Sequence, residues 1–281
     1  MTDCSETLIR SLVGVDAAGV ARLSSGRWSE VWSVRPRSSP TLIVKIGTPA
    51  VIEEERFGLD CLRETHTVRV PQLIGTETIA GRGILMLESL EVGGVADWES
   101  FARQLARLHQ VDVGSRFGFM IDNHLGATPQ RNAWHHNWAE FNQTCRHGWL
   151  LESLVLSSKD QSLIKSALDS FPDFMKPTRP SLIHGDLWSG NALTLTDGSV
   201  GLIDPAPSYS DALADLAMMQ MFGGFPEAFF ESYLVESEFS LQPRKLAAYR
   251  LYHAMNHLLL FGDGYLELVR SEARGVLAAD P

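Results

Sequence analysis

Two short apolar runs, Ala192–Thr196 and Ser199–Ile203, are joined by Asp197-Gly198. An Asp-Gly pair between alternating runs is a strong hairpin signal, because glycine takes the positive φ of a tight turn at no steric cost. The hairpin constrains more than itself. It folds back the residues at its two open ends, Asn191 before the first run and Asp204 after the second. Asp186 lies one short loop upstream, in "SLIHGDLWSGN". Two carboxylates and an amide oxygen brought to one point suit Mg2+, which takes hard oxygen ligands and leaves room for water and phosphate. Asp and Asn also serve as plain turn residues. The whole constellation, with its hairpin, favours chemistry over decoration.

The spacing Asp186-x-x-x-x-Asn191, followed by an Asp beyond a hairpin, is that of the protein-kinase catalytic loop and metal-binding Asp. His184-Gly185-Asp186 stands where His-Arg-Asp would, and Ile203-Asp204-Pro205 where Asp-Phe-Gly would. Such a site also needs a cation for the phosphates, a carboxylate to orient that cation, and a loop over the phosphates. "LIVKIG" supplies Lys45 in a strand-like run. A lysine there needs a partner, since burying a lone ammonium is costly. Glu55 on the following helix is the expected partner, with Glu53 and Glu54 as alternatives. "LSSGRWSEVW", Leu23–Trp32, is the candidate phosphate loop, through Ser25, Gly26 and Ser29. "MLESL", Met86–Leu90, stands where backbone groups would bind adenine, which nominates Glu88 and Leu90.

The rest of the chain reads as an α+β fold. The first ~90 residues have short strand-like runs and one helix, "AVIEEERFGLDCLRET". "EVGGVADW" is a Gly-rich linker. From about Trp98 the pattern is helical, with Phe101, Leu105 and Leu108 on one face of "FARQLARLHQ". The expected division is a small β-rich nucleotide-binding lobe, 1–92, and a larger helical lobe, 93–281, that carries the catalytic loop and acceptor site.

Composition narrows the function. Of 281 residues 44% are hydrophobic, enough for a packed core, and no apolar run reaches the ~20 residues of a membrane span. The net charge of -10 disfavours nucleic acid and anionic membranes as partners. "MTDCSETLIRSLVG" has acids early and no basic region, so it does not read as a signal peptide. Cys4, Cys61 and Cys145 are far apart, without CxxC or zinc spacing, which fits reduced thiols. A monomeric cytoplasmic protein is expected.

"HGDLWSGN" resembles the signature of the fructosamine kinase (ketosamine-3-kinase) family, relatives of the aminoglycoside phosphotransferases, choline kinases and protein kinases. "FGFMIDNHLGATPQRNAWHHNWAEF", "DLAMMQMFGGFPEAFFESY" and "YRLYHAMNHLLLFGDGYL" extend the likeness over most of the chain. The resemblance implies a protein-kinase-like two-lobe fold and ATP-dependent phosphorylation of a sugar hydroxyl on a fructosamine. It implies Asp186 as catalytic base, Asn191 and Asp204 as Mg2+ ligands, and Lys45 with Glu55 on the phosphates. It also implies that Asp215 in "ADLAMM" braces the catalytic loop. The chain departs from the family where Ala212-Leu213-Ala214 precedes Asp215 in place of Arg-Glu.

Several residues have two readings. His184 serves as a second acid/base or, as is favoured, holds the loop, since a kinase needs one base. Trp134, Trp138, Trp149 and Trp188 are core residues or sugar platforms; Trp188, beside Asp186, is the one assigned to the acceptor. His253 and His257 have metal-ligand spacing but no evident third ligand, so packing or acceptor contact, the latter for His257, is favoured. The alternative activity is an aminoglycoside or choline-type phosphotransferase. A non-catalytic nucleotide-binding pseudokinase is the rival from another class.

Overall fold

The computed structural model describes residues 4–13, 17–26, 29–176, 179–237 and 239–278. Helix α1 (Cys4–Val13) leads into β1 (Ala17–Ser25), β2 (Ser29–Pro36), β3 (Leu42–Gly47), α2 (Pro49–Glu64), β4 (Leu73–Ile79) and β5 (Arg82–Glu88). Then come α3 (Trp98–Gln110), β6 (Asn123–Leu125), β7 (Thr128–Gln130), α4 (Trp138–Phe141), α5 (Gly148–Ser153), α6 (Ser158–Asp169) and α7 (Phe171–Phe174). Strands β8 (Ser181–Ile183), β9 (Ala192–Thr194), β10 (Val200–Leu202) and β11 (Ser208–Ser210) precede α8 (Leu213–Phe222), α9 (Glu227–Ser237), α10 (Pro243–Phe261) and α11 (Leu266–Leu277). The chain groups into two compact units, Met1–Ala96 with Leu193–Asp204, and Asp97–Ala192 with Pro205–Pro281.

The first unit is an antiparallel sheet of order β1-β2-β3-β5-β4. Alternation along β3 sorts its residues onto two faces. Val44 and Ile46 pack with Ile9 of α1, Trp32, Val34 and Ile84 in one dry cluster. Ile43 and Lys45 face the other way, toward α2. Thr48 caps α2 by accepting from Val51 N, and Pro49 opens the helix where its missing N–H costs nothing. Ile52, Leu59 and Leu62 are the buried stripe of α2. Gly83 lets α2 approach β5, since a Cβ there would meet Pro49 Cα at 2.8 Å.

Two sequence expectations change here. This part of the chain contains two helices among its described residues, because Ile9 of α1 fills the sheet's second face and seals that core. The hairpin β9–β10 also groups with the first unit, where a division at 92/93 puts it in the second. Backbone bonds tie it there: Gly93 N to Thr194 O (2.9 Å), Thr196 N to Glu91 O (2.9 Å) and Leu202 N to Arg69 O (2.8 Å). Its turn is a three-residue loop. Gly198 N donates to Leu195 O (3.0 Å), Leu195 N to Ser199 O (2.9 Å), and Gly198 holds φ 85°.

Among its described residues the second unit is helical, with two short antiparallel pairs, β6–β7 and β8–β11, and two isolated antiparallel bridges, Phe117 with His135 and Gly118 with Tyr209. Helices α3 and α9 pack through Phe101, Phe229 and Tyr233. The helical run after Asn137 divides into α4, a π-helical stretch over Asn142–His147, and α5. Gly148 permits the bulge: a Cβ there would lie 1.9 Å from Gln143 O. No helix among the described residues is long and apolar enough to cross a membrane.

Candidate active site

In the first unit, Lys45 projects from the centre of the sheet, 6% exposed. Its ammonium donates to Glu55 Oε1 of α2 and to Asp204 Oδ1 just beyond β10. Glu53 turns outward to Arg56, so Glu55 is the carboxylate of the three that binds Lys45. Burial disfavours the charge on Lys45, but Glu55 and Asp204 outweigh it and hold the pKa above its ordinary value. Burial, opposed by Lys45 and reinforced by the Asp204 charge, pushes Glu55 upward. Asp204 sits at φ 54°, a left-handed conformation that aspartate tolerates better than most residues.

These side chains line a cavity of about 370 Å³ with Ile43, Leu59, Leu87, Leu90, Leu193 and Ile203. Glu88, Ser89 and Leu90 form its rim. The Glu88 carboxylate is occupied, by Arg69 and by Gln72 N (3.0 Å), so what it offers the cavity is backbone. Ser25, Gly26 and Ser29 are not among the cavity's lining residues; Leu23 and Ser24 are. The register shift between Arg22 and Ser24 turns both toward the cavity, while Gly26 N donates to Ser29 O (2.9 Å) to close the β1–β2 turn. Arg27 and Trp28 of the expected phosphate loop lie outside the described residues.

In the second unit, β8 delivers His184-Gly185-Asp186. Gly185 has φ 82°, and a Cβ on it would stand 1.9 Å from Ala206 O, so the turn requires glycine. Asp215, 1% exposed on α8, accepts from His184 N (2.8 Å) and Gly185 N (2.9 Å). His109 Nε2 stands 3.2 Å from the same carboxylate, and His109 Nδ1 is 2.6 Å from the Tyr233 hydroxyl. Burial raises the Asp215 pKa, but the His109 hydrogen bond, the imidazoles of His109 and His184, and Gly185 N–H outweigh it and leave it depressed. Asp186 N donates to His184 Nδ1 (3.3 Å), which assigns that nitrogen as an acceptor.

Asn191 Nδ2 donates to Asp186 O (2.9 Å) and Asp186 Oδ2 (3.0 Å). Two acceptors on the amide nitrogen fix its orientation and turn Asn191 Oδ1 away from Asp186. Asn191 thus presents an amide oxygen, and Asp204, half exposed, presents the carboxylate oxygen not engaged by Lys45. Hard oxygen donors of this kind fit Mg2+. Among the described residues no group of three His, Cys, Asp or Glu forms a metal cluster. His253 and His257 are not a ligand pair: His257 Nδ1 donates to His253 O (2.8 Å).

Asp186, Trp188 and His257 line one cavity of about 390 Å³, with Phe222, Asn256, Phe261 and Tyr265. Trp188 is 41% exposed and its ring lies over Gly190, where a Cβ would meet it at 2.2 Å. Trp138, by contrast, is core, stacked on Phe141, and Trp134 stacks with Arg116. Sequence reasoning did not nominate His109 and Tyr233, which hold Asp215. It also passed over Asp211, which accepts from Tyr249 (2.8 Å), Lys245 (3.5 Å) and Leu213 N at the start of α8 (3.0 Å). "SYSDALADL" carries the one available signal, an Asp just before a helix.

A family model described as fructosamine kinase matches residues 9–279. A protein of Synechocystis named as a probable ketoamine kinase is 40% identical over 222 residues, 76% of this chain and 75% of its own. The crystal structure of a candidate fructosamine-3-kinase from Thermobifida fusca superposes with a TM-score of 0.86 at 27% identity, covering 97% of this chain and 98% of that one. An aminoglycoside 2'-phosphotransferase shares the fold alone, with a TM-score of 0.68 at 17% identity over 99% of each chain.

Proposed function

The chain belongs to the fructosamine kinase family, and we propose that it is a cytoplasmic, monomeric enzyme that uses Mg·ATP to phosphorylate a sugar hydroxyl of ketosamines. One observation supports the acceptor class most directly. The cavity at Asp186 is walled by Trp188, Phe222, Phe261 and Tyr265, and Asp186 is the one carboxylate among its lining residues. An aminoglycoside carries several ammonium groups and calls for several carboxylates. A ketosamine needs no such array, and Asp186 itself serves the reacting hydroxyl.

In this reading the first unit binds nucleotide. Backbone groups of Glu88–Leu90 take the adenine, and Lys45, held by Glu55, places its charge on the phosphates. Asn191 Oδ1 and the Asp204 carboxylate would hold Mg2+, which when bound neutralises charge on the transferring group. Asp186 receives a hydrogen bond from the acceptor hydroxyl and keeps it in line. It takes the proton as the new O–P bond forms and the bond to the ADP oxygen breaks. Positioning and charge neutralisation lower most of the barrier. His184, as a hydrogen-bond acceptor toward Asp186 N, and Asp215, through two backbone N–H groups, fix the loop that aims the base. Trp188 and His257 border the acceptor.

A coupled ADP-release assay with fructoselysine and a panel of aminoglycosides and choline tests this. Turnover of fructoselysine alone supports it. Preference for an aminoglycoside or choline overturns the acceptor assignment, and nucleotide binding with no transfer to any acceptor makes the chain a pseudokinase.

A further inference from the structure

Asn256 of α10 lines the cavity that holds Asp186. It is 3% exposed, and its Oδ1 is buried with no hydrogen-bond partner among the described residues. A buried amide oxygen without a partner costs stability, because it has given up its bonds to water. Asparagine inside a helix is also a poorer helix former than alanine. The chain bears both costs at one position and gains no protein hydrogen bond at Oδ1 in return. Local rules broken in this way cluster at functional sites. Other described side chains with a buried unpartnered polar atom, Thr128, Ser181 and His253 among them, do not line this cavity.

The rest of the lining indicates what the amide meets. Besides the ring groups of Trp188 and Tyr265, the cavity's polar side chains are Asp186, Asn256 and His257. Asp186 accepts from Asn191 Nδ2 and serves the reacting hydroxyl. His257 spends Nδ1–H on His253 O, and its ring packs against Phe222, Phe261 and Tyr265. Asn256 is the uncommitted group of the three. A carboxamide both donates and accepts, as a hydroxyl does. The torsion that turns it is broad, so either end can be brought to a guest.

We infer that Asn256 reads a hydroxyl of the acceptor sugar other than the one that is phosphorylated, through a direct hydrogen bond to its side-chain amide. This rests on the ketosamine reading above and adds a specificity-determining residue to it. The bond favours a polyhydroxylated acceptor over choline, whose single hydroxyl is the one that would react.

The test uses an N-alkyl 1-amino-1-deoxyfructose and its monodeoxy analogues, each lacking one sugar hydroxyl. Values of kcat/KM are measured for wild type, Asn256→Ala and Asn256→Leu, with urea unfolding to establish that each variant is folded. Leaving a buried polar group without its partner costs about fivefold to 150-fold. On wild type, one analogue that is still phosphorylated is therefore expected to lose at least about tenfold against the parent. Both variants lose activity on the parent too, since Asn256 is part of the wall. That loss is common to the whole series and cancels in the ratio of analogue to parent. In both variants the same deletion is expected to cost less than about threefold, the mark of two changes that act on one contact. Alanine and leucine alter the wall's shape in opposite directions, so a loss of discrimination common to both belongs to the amide, and either variant alone reads the ratio if the other fails to fold. If no analogue loses more than about threefold on wild type, or if the deletion costs a folded variant as much as it costs wild type, the assignment to Asn256 falls while the kinase reading stands. A wild type that phosphorylates no fructosamine removes the ketosamine reading and this inference with it.

Discussion

Gly185→Ala isolates the geometry of the catalytic loop. The added Cβ would fall 1.9 Å from Ala206 O, whereas ordinary contact begins at 3.4 Å, so something must move by 3.4 − 1.9, or about 1.5 Å. The obstacle is backbone, tied to the loop by the Ala206 N to His184 O bond of 2.9 Å, and has no flexible end to yield. Alanine at φ 82° adds about 1–2 kcal/mol of conformational cost. Loss of the Ala206 bond adds about 1 kcal/mol. The fold thus loses about 2–3 kcal/mol in stability. A misplacement near 1 Å costs about 10² in rate. Steady-state kinetics at saturating nucleotide and acceptor, with urea unfolding and nucleotide titration alongside, read these apart. The variant is expected to lose at least about 100-fold in kcat, with nucleotide Kd within about threefold of wild type, because the cavity proposed for nucleotide is lined by other residues. A kcat within threefold of wild type would refute the claim that this turn aims Asp186.

Other perturbations separate the proposed roles. Asp186→Asn is expected to lower kcat by about 10²–10⁴ with nucleotide affinity retained in calorimetry, the range for a positioned general base. Lys45→Met strands Glu55 and Asp204 without their shared cation; Mg·ATP affinity is expected to drop at least tenfold by calorimetry, and an unchanged Kd would sink that role. Buried His147 and His253 have pKa values lowered by burial to about 4 and about 3, against the free value of 6.5. Both are neutral when folded, so the stability they permit is complete above pH 6.5 and declines as pH falls toward those values. Chemical denaturation across pH 7 to 4 is expected to show this, and His253→Gln to flatten the decline by about 1.4 kcal/mol per pH unit.

What was legible in the sequence is mostly local chemistry. The turn at Asp197-Gly198, the glycine at 185 and the offset from Lys45 to a glutamate on the next helix are short-range patterns, and the family likeness supplied the rest of the kinase frame. Choosing Glu55 over Glu53 and Glu54 needed to know which face of α2 meets the sheet. Elements whose partners are distant stayed hidden. Helix α1 exists because Ile9 fits Val34, Val44 and Ile46, and the π segment because Gly148 admits Gln143 O. The bulge that swaps Leu23 and Ser24 for Ser25 and Gly26 at the cavity wall changes the register by one position, which strand periodicity cannot foretell. His109 reaches Asp215 from a separate helix, and only the folded second unit pairs them.

In the proposed reaction Asn191 Oδ1 and the Asp204 carboxylate would hold the magnesium ion of Mg·ATP. A crystal structure with a non-hydrolysable ATP analogue and Mg2+ tests it directly. The expected result is a cation about 2.0–2.1 Å from both Asn191 Oδ1 and an Asp204 carboxylate oxygen, with phosphate oxygens also bound. A cation held without either side chain, or the two bound to separate partners, would contradict it.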